Sequence, residues 1–460
     1  MRPGTSISYL ASLVDAEING PDGPLPARFY ADSRLVGAGD AFVAFRGEQH
    51  DGHDFIGDAV SRGASLIVCE DRKNVPAPVA SIVVRDCFTE IPEMARRYQE
   101  SFGDALEVVA VTGSVGKTTT REVIRACLAP SFKVHSAENS YNTLIGCSLS
   151  ILAMPGDAEV LILEMGTNHP GEIANTVRFF PPTLSVITEI APAHLEGLGS
   201  VEGVLEAKFE ITGSQRLKKL LYFGDNSALA SRCASMPSRI QALGVGFTKN
   251  DFTIRDVLFE LVDGAPRLRF DLLHKEKCHR VVSSLFGRHS ALAAAFGLAA
   301  TVSLGGGVSS AISNIRSMEA PRGRGKFIRL LSGAVLLDDS YNANPASMRA
   351  CLSEALMTPA RRRIAVLGEM RELGLEGLEY HKALLPLLNQ FTRVCLTGGL
   401  WREVFGDEAA CAGVEFFDGP NTFACEIRRT LGDGDLLVVK GSHGNRLDLL
   451  VDALTEDGAL

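Results

Sequence analysis

The sequence predicts an α/β protein of three domains. These are a central P-loop-type doubly wound parallel sheet, a C-terminal Rossmann-like α/β domain and a smaller N-terminal α/β domain. Three observations carry the expectation. The chain has 460 residues, and roughly 100–200 residues per domain makes three the central value. Short β-branched runs recur at 66–69, 81–84, 107–112, 159–165, 183–188, 217–223, 241–246, 333–338, 363–368, 392–397 and 435–440. Most are followed by helical periodicity, the pattern of parallel strands covered by helices. The third observation is a glycine loop between a strand and a helix, taken up below.

Residues 251–283 depart from the alternation. They alternate apolar and polar side chains around DGAPR, which predicts antiparallel hairpins. The stretch PRGRGK at 321–326 sets a proline, two glycines and cations between a helix and a strand, as a hinge would. A second boundary precedes the strong strand at 107. The expected division is 1–103, 104–320 and 321–460.

Composition excludes several classes. Apolar residues make up 46% and charged residues 22%, ordinary for a soluble globular protein. A net charge of −9 disfavours nucleic acid and anionic membrane as partners, since both select basic surfaces. No apolar run approaches the ~18 residues of a spanning helix. The start, MRPGTSISYL, lacks a charged-then-apolar export pattern, so a cytoplasmic protein is expected. The ten cysteines form no C-x-x-C pair, and several lie in apolar runs. They read as buried thiols in a reducing compartment.

The strongest local signal is VVAVTGSVGKTTTREVIRACL, residues 108–128. A β-branched strand enters Gly113-Ser114-Val115-Gly116-Lys117-Thr118-Thr119, and a helix leaves it. Glycines let backbone N–H groups turn inward around phosphate oxygens. The helix N-terminus adds partial positive charge. Lys117 would reach the β/γ-phosphates, and the Thr118 hydroxyl would ligate Mg²⁺. The longer form of the motif has a glycine where Val111 stands, so this is a G-x-x-G-K-T variant. Phosphate binding alone does not separate a switch, a motor, a kinase and a ligase.

Other segments narrow the choice. Glu164 ends the apolar run EVLILE, at the strand end where α/β proteins bind ligands. It would hold Mg²⁺ opposite Thr118. His194 follows another apolar strand, and Lys208 lies in VEGVLEAKFEI. Taken singly, Glu164 also reads as a helix cap, His194 as a surface histidine and Lys208 as a solvated lysine.

Taken together, TGSVGKTTT (112–120), SYNTLIG (140–146), EMGTNHPGEI (164–173), AHLEGLGSVEGV with AKFEI (193–211) and GRH (287–289) resemble the Mur ligase family. DSR with GDAFVAFRGEQHDGHDF (32–55), LLDDSYNANPASM (336–348), LGEMRELG (367–374) and KGS (440–442) extend the resemblance over essentially the whole chain. Members are ATP-dependent amide-forming ligases of bacterial cell-wall synthesis. DDSYNANP and GEMRELG resemble the branch that joins D-alanyl-D-alanine to UDP-N-acetylmuramoyl-tripeptide.

The resemblance implies ATP and Mg²⁺ as cofactors, with a UDP-linked muramoyl peptide and a D-alanyl-D-alanine-like dipeptide as substrates. It implies that Gly113, Ser114, Gly116, Lys117, Thr118 and Thr119 hold the triphosphate. Glu164, His194 and Lys208, with Thr118, gather around Mg²⁺, and Lys117, His194 and Lys208 serve catalysis. The lysine matching Lys208 is carbamylated in sister ligases. Asn142, His289, Arg324 and Asp339 fall near the nucleotide. Asn342, Lys440 and Ser442 fall near the incoming amine. Asp32, Ser33, Arg34, Asp51, Gly52 and His53 fall at the UDP-sugar end.

The chemistry calls for these residue types. Amide formation from a carboxylate is uphill in water, and ATP solves this through an acyl phosphate. The γ-phosphate is densely charged, so a lysine and metal ions are needed to clamp it. A hinge at 321–326 would let closure exclude water from the intermediate. Five positions depart from the family's pattern: Val115, Ser148, His443, and Ser290 with Ala293, which stand where two asparagines usually hold adenine. The last pair predicts weaker discrimination among nucleotide bases. Two further readings fit the same residues. One is a ligase of the same chemistry joining other amino acids or peptides. The other is a nucleotide-binding protein without catalysis.

Overall fold

The computed structural model describes residues 4–137, 141–262, 265–406 and 413–455. Strands β1 (Glu17–Asn19), β2 (Phe29–Tyr30), β3 (Ala41–Val43), β4 (Leu66–Cys69) and β5 (Ala80–Val83) form a sheet of order β1-β5-β4-β3-β2. Only β1 runs antiparallel to its neighbour.

The central sheet has nine strands: β6 (Glu107–Thr112), β7 (Val134–Ser136), β8 (Val160–Glu164), β9 (Leu184–Ile187), β10 (Lys219–Phe223), β11 (Gln241–Gly246), β12 (Phe252–Val262), β13 (Ala265–His274) and β14 (Lys277–Ser283). Their order is β14-β13-β12-β11-β10-β9-β6-β8-β7. Pairing is parallel from β7 to β12 and antiparallel from β12 to β14. The expected hairpins over 251–283 are therefore present, although Asp263 and Gly264 of the DGAPR turn lie outside the described residues.

The third sheet joins β15 (Lys326–Arg329), β16 (Val335–Asp339), β17 (Arg362–Gly368), β18 (Arg393–Thr397), β19 (Val414–Phe416) and β20 (Asp435–Lys440) in the order β15-β16-β20-β17-β18-β19. Strand β15 is its antiparallel edge. The α/β architecture with a central doubly wound sheet is thus as expected.

The reason lies in burial. Val108 to Val111 of β6 and Val160 to Leu163 of β8 are enclosed on both faces. A strand covered by helices on both sides must be apolar at every position, so it reads as a continuous β-branched run. At the sheet's middle, β6 lies between β8 and β9, which connect to opposite sides. Such a reversal opens a crevice beyond the strands' carboxyl ends. Thr112 and Glu164 end β6 and β8 there, and Thr188 directly follows β9.

The cores do not divide as three equal bodies. One continuous apolar cluster runs from Ile7 and Met94 through Leu149 and Leu163 to Ile240. The Tyr98 hydroxyl donates across it to the Met154 carbonyl at 2.7 Å. The first two sheets therefore share a core, whereas the third is enclosed by two clusters mostly of its own residues. Phe259 and Phe286 of the central part meet Phe327 at ring-centroid distances of 6.2 and 4.8 Å. PRGRGK forms turns between helix Val308–Arg316 and β15, as a connector. Asp338 holds this connector by accepting from the Gly323 N–H at 2.8 Å.

Seven of the described cysteines are buried, but Cys278 and Cys425 are exposed, which corrects the expectation for those two. Cys411 lies outside the described residues. No described helix is long and apolar enough to cross a membrane.

Helix Lys117–Leu128, which carries the phosphate loop, packs on helix Arg288–Leu304 at Gly297. A Cβ there would come within 2.5 Å of Cys127 Sγ and 2.9 Å of Val123 Cγ1. Overpacking of this kind costs about 1–3 kcal/mol. Gly297→Val should therefore lower stability by about that amount in a denaturant titration. Adding Cys127→Ala to it should recover part of the loss. A Gly297→Val protein as stable as the parent would show that the two helices are free to separate.

Candidate active site

The phosphate loop is shaped by its backbone. Gly113 and Gly116 have φ of +145° and +83°, and a Cβ on Gly113 would strike Thr188 Oγ1. The loop is tied to the end of β9: Ser114 N–H donates to the Glu189 carbonyl at 2.7 Å. The Ser114 hydroxyl donates to the Ala191 carbonyl at 2.8 Å. Lys117 begins the helix and is half-buried rather than standing on an exposed loop. Its Nζ donates to the Gly113 carbonyl at 2.8 Å. Burial first, and then Arg324, push its pKa down, against the pull of Glu164.

Beyond the loop, Thr118 Oγ1 donates to Glu164 Oε2 at 2.8 Å, with both groups buried. Arg121 Nη1 lies 3.8 Å from the same oxygen. Lys208 is 0% exposed, and its Nζ has no hydrogen-bond partner. Burial first, and then the charge of Lys117, bring its pKa down to about 7, while Glu172, Glu164 and Glu210 oppose the shift. His194 has φ of +53°, and its Nδ1 meets Glu372 Oε2 at 2.6 Å. Burial, and then Lys208 and Lys117, hold His194 below its ordinary pKa against Glu372.

Two cavities adjoin these groups. One, of about 400 Å³, is lined by Lys117, Asn142, Thr167, Asn168, Asn175 and His194 among others. The other is a cleft of about 1310 Å³ between the central and third sheets, whose walls include Thr118, Arg121, Arg125, Arg322, Arg324 and Tyr341. Arg324 lies over the Tyr341 ring at 4.0 Å. This arrangement suits a nucleoside triphosphate, with its phosphates at Lys117 and Thr118 and a second reactant in the smaller cavity.

Residues 111–301 match the family model of the Mur ligase middle domain. Residues 323–443 match the Mur ligase glutamate ligase domain, and 29–106 the Mur ligase family catalytic domain. A relative from Bacillus subtilis, UDP-N-acetylmuramoyl-tripeptide--D-alanyl-D-alanine ligase, is 31% identical over 92% of each chain.

The chain belongs to the Mur ligase family.

The relative of the same description from Escherichia coli is 28% identical over 98% of this chain and 99% of its own. Among solved structures, MurF ligase from Thermotoga maritima in complex with ADP aligns with a TM-score of 0.76 at 28% identity, covering 94% of this chain and 97% of the other. MurF from Acinetobacter baumannii aligns at 0.79 over 97% and 98%, and at 24% identity shares the fold.

Against the Mur ligase expectation, Gly113, Ser114, Gly116, Lys117, Thr118, Thr119, Asn142, Glu164, His194 and Lys208 come together. Among the described residues no three His, Cys, Asp or Glu side chains form a metal cluster. A Mg²⁺ site here would combine Glu164 and the Thr118 hydroxyl with phosphate oxygens and a carbamate on Lys208. The orphaned, uncharged-leaning Nζ of Lys208 is the observation that fits it.

Several other expected site residues are engaged within the fold. Both His53 ring nitrogens are occupied within the fold: Nδ1 meets Asp51 Oδ1 at 2.7 Å, and Nε2 accepts the Glu70 N–H at 2.9 Å. Asp51 also caps the His53 N–H. In this structure these two residues brace a turn. Ser33 is buried, which leaves exposed Arg34 as the available group, paired with Asp32 at 2.6 Å.

Lys440 is buried and donates to Asp339 Oδ2 at 2.7 Å and the Asn342 carbonyl at 3.0 Å. It therefore braces the DDSYN segment in this structure. Ser442 Oγ likewise accepts the Arg371 N–H at 3.0 Å. His289 meets Glu354 at 3.1 Å. Ser290 and Ala293 are buried in the helix they begin, so any loss of base contacts there comes with close packing that asparagines would have to fit.

Sequence reasoning missed Arg121, Glu354 and Glu372. The first is one residue past TGSVGKTTT, and the last lies inside LGEMRELG, so both were in view. Their contacts are non-local and left no local signal.

Lys117 is the cation at the mouth of the phosphate loop. Removing one preorganised charge of this kind costs about 10²–10³ in turnover. Lys117→Met should lose turnover on that order while melting near the parent temperature without nucleotide. A folded Lys117→Met protein within a few fold of parent turnover would remove Lys117 from the mechanism.

Proposed function

We propose that this chain is an ADP-forming ligase that joins D-alanyl-D-alanine to UDP-N-acetylmuramoyl-tripeptide in peptidoglycan precursor synthesis, working in the cytoplasm with ATP and Mg²⁺. The carrying observation is the mutual proximity of Lys117, Glu164 and the buried, partnerless Lys208, with Lys117 at the wall of the smaller cavity. The activity named for relatives matched over nearly the whole chain supports the choice of substrates.

In this reading the tripeptide's terminal carboxylate occupies the smaller cavity. A carboxylate oxygen attacks the γ-phosphorus of ATP, the bond to the β-phosphate oxygen breaks, and ADP leaves. Lys117 follows the γ-phosphate and offsets its charge. The resulting acyl phosphate is attacked at its carbonyl carbon by the dipeptide amine. The amine gives up its proton, and the tetrahedral intermediate expels phosphate as the amide forms. Arg324, at the wall of the larger cleft, supplies further positive charge toward the nucleotide.

Lys208 answers a charge problem. A neutral amine adds CO₂ to give a carbamate and a proton, and a lysine with a pKa near 7 is neutral in half its copies at neutral pH. An ordinary lysine at about 10.4 is neutral far more rarely. The carbamate would place a negative group where Lys208 and Lys117 otherwise repel. Thr118, Glu164, His194 and carbamylated Lys208 would then hold Mg²⁺, which supplies neutralisation of phosphate charge when bound. Arg34, Asn342 and the three-part division 1–103, 104–320 and 321–460 belong to the same reading. The N-terminal part holds the UDP-linked end, the central part ATP, and the C-terminal part the dipeptide.

The test is phosphate release with each reactant omitted in turn. Release should require ATP, a UDP-muramoyl-tripeptide and D-alanyl-D-alanine together. Turnover with a different acid and amine, and none with this pair, would favour a ligase of another pathway. No dependence on either reactant would favour a nucleotide-binding protein.

Lys208→Ala tests the carbamate. It should lose activity about 10–100-fold, as loss of a metal-supporting group does, and recover part of it with added short carboxylic acids. Neither loss nor recovery would leave Lys208 as a buried packing residue.

A further inference from the structure

The motif LGEMRELG delivers one side chain across the boundary between the central and C-terminal parts. Glu372 Oε2 meets His194 Nδ1 at 2.6 Å. The same residue's carbonyl accepts the Leu195 N–H at 3.2 Å. Two contacts from one residue grip the start of helix Leu195–Leu198. The Glu372 side chain is 57% exposed, so it contributes no core packing. His194 also lines the cavity of Lys117 and Asn142.

A neutral imidazole has one N–H and one lone pair, and a carboxylate can only accept. With Nδ1 against Glu372, the proton must sit on Nδ1 and the lone pair on Nε2. A carboxylate on one ring nitrogen fixes the tautomer and orientation with which the other nitrogen works. Resting on the function proposed above, we propose that Glu372 is a positioning residue. It fixes His194 with the Nε2 lone pair free for Mg²⁺ or phosphate-bound protons, and it does so only when the C-terminal part is seated on the central part. One half of the site would thus be completed by the domain that brings the amine.

The experiment uses the full chain carrying ¹⁵N-labelled histidine, with His194→Gln to identify the His194 signals among ten histidines. In the parent, the ring shifts should report a proton on Nδ1 and a bare Nε2. Glu372→Ala should abolish that pattern. It should also raise the Mg²⁺ concentration for half-maximal turnover and lower kcat, each by about 10–100-fold, with KM for the dipeptide within about twofold. Glu372→Gln keeps an accepting oxygen and should retain the tautomer with a smaller kinetic loss.

Unchanged ring shifts in Glu372→Ala would overturn the proposal, as would an unchanged Mg²⁺ requirement. A parent that turns over no muramoyl-tripeptide at all would overturn the assigned function instead. The ring shifts would still decide whether Glu372 sets the tautomer.

Discussion

Lys208 is enclosed within the protein, and its nitrogen has no partner. Burying a lone ammonium is so costly that the group sheds its charge or is chemically changed. Around it stand Lys117 and His194, opposed by Glu172, Glu210 and Glu164, the last already engaged by Thr118. Such a cluster is poorly balanced by protein alone. It becomes balanced when a triphosphate brings negative charge to one side and a carbamate to the other. The strands that meet here are stiff because they are buried on both faces. The cations cannot drift apart to relieve their repulsion, so the fold holds the imbalance ready for its ligands.

The division of the core decides what can move. The N-terminal and central sheets are joined by one apolar cluster with the Tyr98 hydroxyl inside it, so relative motion there would expose buried surface. The C-terminal part meets the centre mainly through polar pairs, aside from the Phe259, Phe286 and Phe327 cluster. These pairs are Glu372 with His194, Glu354 with His289 and the Arg288 N–H, and Asn344 Nδ2 with the Ser114 carbonyl at 3.5 Å. Partly exposed polar pairs are individually weak. Weak contacts at functional residues make an interface that can open and re-form without disturbing either core.

This distribution also explains what could be read in the sequence. The strands at 66–69, 107–112 and 435–440 were legible because two-sided burial forces unbroken apolar runs. Strands β1, β2, β3, β7 and β19 have two or three residues each, too short to show a period. Lys117, Thr118 and Glu164 were legible because phosphate chemistry demands those types beside a strand end. The burial of Lys208 was not, since its helix places a polar residue where the tertiary structure closes over it. The internal contacts of His53 were not legible either: an Asp-Gly-His turn has the composition of a binding loop, and here its polar groups also satisfy one another.

Backbone strain points to the same boundary. Among the described residues, six non-glycine residues have positive φ, and two of them are His194 at +53° and Glu372 at +63°. A left-handed residue of this kind costs about 1–2 kcal/mol, and it persists where surrounding contacts over-determine it. The Glu372 carbonyl on Leu195 and the Glu372 carboxylate on His194 are such contacts. The two strained residues therefore hold one another in place. Separation of the domains would remove the reason for either conformation, and an opened site would then relax away from its working geometry. Strain shared across a boundary in this way makes the seated arrangement of the C-terminal part a condition for a correctly formed site and not only for the exclusion of water.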